Sequence, residues 1–200
     1  MRVAVIGGSG FIGTHTTQHM LDSGVDVTVI DKVKPRLDVK WKRADILYFN
    51  EMYRALQGFD YVYNLAAISC ADECEERASY SIKTNIMGLT NVLEACVHNK
   101  VKRILFSSSV WVYSGAECDE VDENTAINPN KINHVYTAAK LSAEYIIRSY
   151  TNLYGLDHTI LRYGIAYGPY THGRIVLAAF LEKVLNDEPI TIIGDGTSMR

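Results

Sequence analysis

The chain has 200 residues, 48% of them hydrophobic and 22% charged, with a formal net charge of −3, a length and balance that suit an ordinary globular protein with a sizeable core. No Lys/Arg run exceeds two or three residues, which argues against the basic stripe that a nucleic-acid partner calls for. No stretch reaches ~18 uninterrupted apolar residues, the length a membrane span needs, so no membrane association is expected.

Apolar runs alternate with longer amphipathic ones along the chain. Strands are predicted at 2–6, 26–30, 39–43, 61–65, 103–107 and 158–162, with helices at 10–21, 51–56, 79–99 and 136–154 between them. That alternation predicts an α/β fold: a doubly wound parallel sheet with helices on both faces. The first strand starts almost at the N-terminus, so no secretory leader is expected. Residues 115–133, rich in Asp, Glu and Asn, read as a surface loop. After Gly168-Pro169 the pattern changes to one helix over 175–186 and a short strand over 190–193. The cysteines Cys70, Cys74, Cys96 and Cys118 lack metal-ligand spacing and read as free thiols of a cytoplasmic protein. His15, His19, His98, His158 and His172 are scattered singly, so no metal site is expected.

Gly7-Gly8-Ser9-Gly10-Phe11-Ile12-Gly13 follows the first predicted strand and opens the first helix. The glycines let the backbone turn sharply and approach a pyrophosphate, and the helix N-terminus beyond them offers free N–H groups. Asp31 ends the second strand, 18 residues after Gly13. A carboxylate there can accept hydrogen bonds from a ribose diol and repels a 2′-phosphate. The reading is therefore a Rossmann-type domain that binds NAD(H) rather than NADP(H). Lys32, Lys34 and Arg36 lie close by and weaken that preference.

Tyr136-Thr137-Ala138-Ala139-Lys140 puts a phenol and an ammonium one turn apart on one helix face. An ammonium and a positive nicotinamide both favour the phenolate, and lowering its pKa by ~3 units takes ~4 kcal/mol. Ser107-Ser108-Ser109 closes the fifth strand, 27 residues before the tyrosine in the case of Ser109.

With these marks the sequence resembles the extended short-chain dehydrogenase/reductases, in the branch of nucleotide-sugar epimerases and dehydratases. The resemblance also rests on Asp45-Ile46, Asn64-Leu65-Ala66-Ala67, Asn85-x-x-Gly88, Asn91-Val92-Leu93-Glu94-Ala95 and Leu161-Arg162-Tyr163 ahead of Tyr167-Gly168-Pro169. It implies a catalytic set of Ser109, which hydrogen-bonds the reacting sugar oxygen, Tyr136 as acid/base and Lys140 on the nicotinamide ribose. It implies cofactor contacts at Gly7, Gly10, Phe11, Ile12, Gly13 and Asp31. Asp45 and Ile46 come beside adenine, and Leu65, Ala66 and Ala67 on the loop passing the cofactor. Ser107, Tyr136 and Lys140 complete the cofactor site, the hydroxyls of Ser107 and Ser108 being read as structural. Asn85 reads equally as a cofactor contact or as a polar residue that bends its helix.

Departures bear on the reaction. Asn64 stands where the family often has His, His134-Val135 where Ser-Pro is frequent, and Ile165 where an Asn often meets the substrate diphosphate. Family dehydratases carry Asp-Glu, and decarboxylases a Glu, in the places held here by Val110 and Trp111. The remaining set suits epimerisation of a nucleotide sugar through a transient ketone. An NAD-dependent dehydrogenase or reductase is the alternative, and a non-catalytic NAD sensor a third. The resemblance implies a homodimer through the helices at 79–99 and 136–154, the second with a stripe of Leu141, Tyr145, Ile146 and Tyr150. It also implies that residues 1–168 form the cofactor domain, and 169–200 the start of a substrate lobe cut short near Gly194-Asp195-Gly196-Thr197.

Overall fold

Val3, Ala4, Val5 and Ile6 are all buried in β1 (Arg2–Ile6), as a central parallel strand covered on both faces requires. Around it, β2 (Asp26–Asp31), β3 (Lys40–Arg43), β4 (Tyr61–Asn64), β5 (Arg103–Ser109) and β6 (Asp157–Tyr163) complete a six-stranded sheet. All neighbours are parallel, in the order β3-β2-β1-β4-β5-β6. The order reverses between β1 and β4. There the connections leave to opposite faces, and a crevice opens at the carboxyl ends of the strands. This is the Rossmann-type doubly wound sheet anticipated from the alternation. The computed structural model describes every residue except 119, 172–174, 193 and 196–200. His172, Ile193 of the predicted last strand, and Gly196 and Thr197 lie outside the described residues.

The two faces are covered unequally. On one, α2 (Phe49–Ala55), α5 (Leu89–His98) and α6 (Val135–Tyr154) bury the main core, with Met52, Leu56, Leu89, Leu93, Ile104 and Ile147 almost fully enclosed. On the other, Met20 and Leu21 of α1 (Phe11–Asp22) pack on Val3, Val5 and Val27 in a smaller cluster. None of the described helices is long and apolar enough to cross a membrane.

The helix predicted over 79–99 is in fact three pieces. Short α4 (Ala78–Ile82) passes into a π-helical turn, Lys83–Gly88, before α5 begins. A further helix, α3 (Ala71–Glu76), precedes them. The turn has a cause in packing. Asn85 points out of it to both backbone groups of Ile68, and Gly88 lies so close to Ile46 that a Cβ would come within 2.6 Å of its Cδ1. The stripe on α6 also resolves differently from a contact surface: Leu141 is buried, and Ile146 and Tyr150 pack on the core of the same chain. Tyr150 donates to Glu94 at 2.5 Å, and only Tyr145 of the four is exposed.

The chain divides into two units, Met1–Gly164 and Ile165–Arg200. The second holds α7 (Val176–Leu185), with Leu177, Leu181, Val184 and Leu185 exposed. Residues 190–192, predicted as strand, are not one. Lys183 Nζ donates to the Pro189 carbonyl and to Thr191 Oγ1, both at 3.3 Å, which holds this stretch against the last turn of α7.

Candidate active site

The glycine turn is shaped mainly by close backbone contacts. β1 ends at Ile6, and Gly7 turns the chain at φ +77°, a conformation that disfavours any side chain. Its N–H donates to the Ile30 carbonyl at 2.9 Å, and its own carbonyl accepts from Gly10 N–H at 3.1 Å. A Cβ at Gly7 would fall 2.6 Å from Ala66 N, and one at Gly13 would fall 2.3 Å from Gly7 O. The first helical turn is thus pressed onto the strand, and the strand onto the loop after β4. At Gly10, by contrast, an added Cβ would meet nothing nearer than Gly7 O at 3.3 Å. Gly10 is thus less crowded than Gly7 or Gly13. No side chain caps α1, so the N–H groups of Phe11, Ile12 and Gly13 lack acceptors within the helix. This is a cradle for an anion, and a pyrophosphate fits it.

Asp31 stands beside the turn at the end of β2. Its Oδ2 accepts from Ser9 N–H at 3.0 Å and its Oδ1 from Val33 N–H at 2.9 Å, while Ser9 Oγ donates to the Val33 carbonyl at 2.6 Å. Two backbone donors hold the carboxylate in place, and each oxygen keeps a lone pair for a further donor. Ser9 was not singled out from the sequence, because a serine inside a glycine motif looks like filler. Asp45 and Ile46 follow β3. Asp45 Oδ1 accepts from Leu47 N–H at 3.0 Å, Ile46 is buried, and its carbonyl accepts from Asn91 Nδ2 at 2.9 Å. Leu65, Ala66 and Ala67 are half-buried on the loop after β4. That loop is fixed by Asn85, which accepts from Ile68 N–H at 2.9 Å and donates to Ile68 O at 3.0 Å. Asn85 thus both lies in the distorted helical turn and shapes the loop.

The second half of the site lies where α6 crosses the end of β5. Lys140 is 3% exposed and donates to the Ser107 carbonyl at 2.6 Å, so Ser107 acts here through its backbone. Ser109 Oγ caps the 3₁₀ turn Val110–Tyr113 by accepting from Trp111 N–H at 3.2 Å, and the same hydroxyl lies near enough to the Tyr136 phenol to favour its ionised form. The proposed catalytic residues therefore meet, Tyr136 with Ser109 and Lys140 with the strand two residues earlier.

The electrostatics differ from the sequence expectation. Burial raises the Tyr136 phenol, outweighing the Ser109 hydrogen bond that lowers it, and the buried Cys74 thiol adds to the rise. Lys140 does not bring it down, since its ammonium is drawn onto Ser107 O and stands 5.7 Å from the Tyr136 ring centroid. Burial in turn lowers Lys140 to about 8. Among protein groups alone, then, Lys140 is still largely an ammonium near neutral pH, whereas the phenol is held in its protonated form.

The profile of the NAD dependent epimerase/dehydratase family matches residues 3–200. A dTDP-glucose 4,6-dehydratase of Streptomyces niveus is 28% identical over all of this chain and 64% of its own length. The chain thus spans less than two thirds of that relative. Among solved structures, a UDP-glucose 4-epimerase of Thermotoga maritima with UDP-glucose is 30% identical, with a TM-score of 0.88 over 98% of this chain and 67% of that one. A Thermus thermophilus UDP-glucose 4-epimerase in complex with NAD is 31% identical, with a TM-score of 0.85 over 95% and 64%. The match takes in both the sheet and the glycine cradle, and this chain belongs to the NAD-dependent epimerase/dehydratase family, whose cofactor is NAD.

Proposed function

We propose that this chain carries the NAD-binding and proton-transfer half of an enzyme that epimerises a nucleotide sugar through a transient ketone. One observation carries the reading: α6 and β5 bring Tyr136 onto Ser109 and Lys140 onto the neighbouring Ser107 carbonyl. Gly7, Gly10, Phe11, Ile12, Gly13 and Asp31 would hold the dinucleotide, with Leu65, Ala66 and Ala67 along its path. Bound NAD supplies hydride acceptance and return at the sugar carbon. With NAD⁺ bound, the Tyr136 phenolate would gain from the cofactor's positive charge, against the effect of burial. Tyr136 then takes the sugar hydroxyl proton and later gives it back, while Ser109 steadies the same oxygen. Lys140 keeps the ribose and the phenol in register.

Dehydratases are among the relatives, but elimination of water needs a further acid/base beside the sugar. Val110 and Trp111 open the turn straight after Ser109, and neither can serve. That favours epimerase over dehydratase. A homodimer through the helices that include α6, on which Tyr145 is exposed, belongs to the same reading and is tested by light scattering. For the reaction itself, the full-length protein is incubated with UDP-, GDP- and dTDP-sugars, and the products are read by NMR. The expected result is a C-epimer formed with NAD retained through purification. Net oxidation with free exchange of NAD(H) would establish the dehydrogenase instead, and NAD binding without turnover on any sugar would establish a sensor.

A further inference from the structure

Below the proton-transfer set lies a buried charge cluster that the mechanism does not use. Tyr136, Lys140 and Glu144 occupy three successive turns of one face of α6, four residues apart. The first two reach Ser109 and the Ser107 carbonyl. The third reaches the residue between them: Ser108 Oγ donates to Glu144 Oε1 at 2.6 Å, with both side chains buried. Ser108 is paired in register with Arg162 across β5 and β6, so both side chains leave the same face. Arg162 meets Glu144 twice, through Nε to Oε1 at 2.9 Å and Nη2 to Oε2 at 2.7 Å. Arg148 Nη2 stands 3.7 Å from the same Oε2. Arg162 also donates to the Tyr113 hydroxyl and lies over the Tyr113 ring, 4.8 Å from its centroid. Tyr113 ends the turn that Ser109 begins.

We propose that Glu144, with Arg162, is a positioning residue: the buried pair fixes the register of α6 on the end of β5 and so places Tyr136 on Ser109 and Lys140 on Ser107. The inference rests on the reading that this set carries the proton transfer. Glu144 is 1% exposed. Its burial works against ionisation, yet Arg162 and Ser108 hold its carboxyl below the usual range, so it stays charged. A buried pair of this kind adds little net stability over an apolar pair of equal volume. What it does impose is one arrangement, because sliding α6 by a turn would leave the buried Glu144 carboxylate without its guanidinium partner. The pair ties α6, β5, β6 and the Ser109 turn to a single point. A one-ångström slip at that point moves Tyr136 off its partner.

The test uses the full-length protein saturated with NAD⁺ and compares the parent with Glu144→Gln and Ser108→Ala. Glu144→Gln keeps the shape and loses the charge, and Ser108→Ala removes one hydrogen bond and leaves the ion pair. Tyr136 is titrated through phenolate difference absorbance, assigned by its loss in Tyr136→Phe. Lys140 on α6, Cys74 on α3 and the Ser109 hydroxyl on β5 surround the phenol and are untouched in both variants. This titration needs no sugar. With an identified sugar, kcat and KM are measured per NAD-loaded molecule. The expected result for Glu144→Gln is a Tyr136 titration moved upward and kcat lowered about 10- to 100-fold, with KM and the NAD⁺ Kd within about twofold. Ser108→Ala moves both in the same direction by less. If the two variants titrate and turn over like the parent, the pair is only structural and the inference fails. Should Glu144→Gln not fold, Ser108→Ala decides by the same two readouts. Tyr136→Phe with full turnover would instead overturn the underlying reading of the site.

Discussion

The two halves of the site are built from opposite materials. The cradle at Gly7–Gly13 offers a ligand backbone N–H groups: its shape comes mainly from a strand turning at φ +77° and from glycine contacts so close that only hydrogen fits. The catalytic corner is built from working side chains, with a phenol beside a hydroxyl, an ammonium on a backbone carbonyl and a carboxylate under a guanidinium. A backbone site is fixed once the turn forms, and its chemistry resides in N–H groups that every residue owns. A side-chain site can be read and altered one group at a time. Substitutions should therefore fail differently in the two halves, by steric exclusion in one and by loss of a single chemical step in the other.

Tyr136→Phe gives the largest effect and tests the side-chain half. The ring stays, the proton acceptor goes, and kcat should fall by roughly 10²- to 10⁴-fold while NAD binding persists. Near-parent turnover would mean that another group moves the proton. In the backbone half, Gly13→Ala and Gly10→Ala should separate. A Cβ at Gly13 would sit 2.3 Å from Gly7 O and 2.6 Å from Gly8 Cα, neither of which can move aside. This variant should lose NAD binding and destabilise the fold by about 1–3 kcal/mol. At Gly10 the one near neighbour of an added Cβ is Gly7 O at 3.3 Å, a milder crowding, so Gly10→Ala should cost clearly less stability than Gly13→Ala while still losing cofactor affinity. Equal stability losses in both would show that the space before Gly10 is not a ligand cradle.

The same contrast explains what the sequence disclosed. Glycines and an aspartate at fixed offsets from a strand are constraints of local geometry, so the cradle and Asp31 were legible. Tyr136 and Lys140 were legible because a helix puts residues four apart on one face. Ser108 and Glu144 were not. Their meaning depends on which strand lies beside β5, and only the fold pairs Ser108 with Arg162. The broken helix at 83–88 was hidden for the same reason, since Asn85 and Gly88 distort it through partners 17 and 42 residues upstream, Ile68 and Ile46. For the phenol, spacing shows that Lys140 is near but not that Ser107 O holds its ammonium, so the rise caused by burial in the protein alone could not be read from the sequence.

Lys140 carries a cost that sharpens the comparison. Burial lowers it to about 8 from 10.5, so the folded chain disfavours the ammonium relative to the unfolded chain. The penalty is complete below about pH 8 and is relieved as the pH rises from there toward 10.5, because the unfolded state then binds the extra proton. Lys140→Met removes the charge and keeps the bulk. It should therefore stabilise the fold at pH 7 by about 1–3 kcal/mol and lose that advantage above pH 10. Denaturant melts at pH 7 and pH 10 read both. A variant less stable than the parent at pH 7 would show that the bond to Ser107 O outweighs the burial of the charge.

The smallest effect falls at Asp31, where side chain and backbone halves join. Its carboxylate is held by Ser9 and Val33 N–H groups and faces the region beside the glycine turn. Lys32, Lys34 and Arg36 follow it, all exposed. Asp31→Asn keeps an oxygen for one of the two N–H groups but removes the negative charge. NAD(H) should then bind about tenfold more weakly, by ~1.4 kcal/mol, for want of a charged acceptor at the ribose. NADP(H) should bind more tightly than in the parent, because its 2′-phosphate no longer meets a carboxylate and finds three cations close by. Ser9→Ala supplies the scaffold control. It cuts the link from Ser9 Oγ to the Val33 carbonyl and leaves the charge, so it should weaken both cofactors to the same small extent. Calorimetry with both cofactors on the three proteins gives the ratio directly. A ratio unchanged by Asp31→Asn would move the discrimination away from the carboxylate and onto the basic residues that follow it.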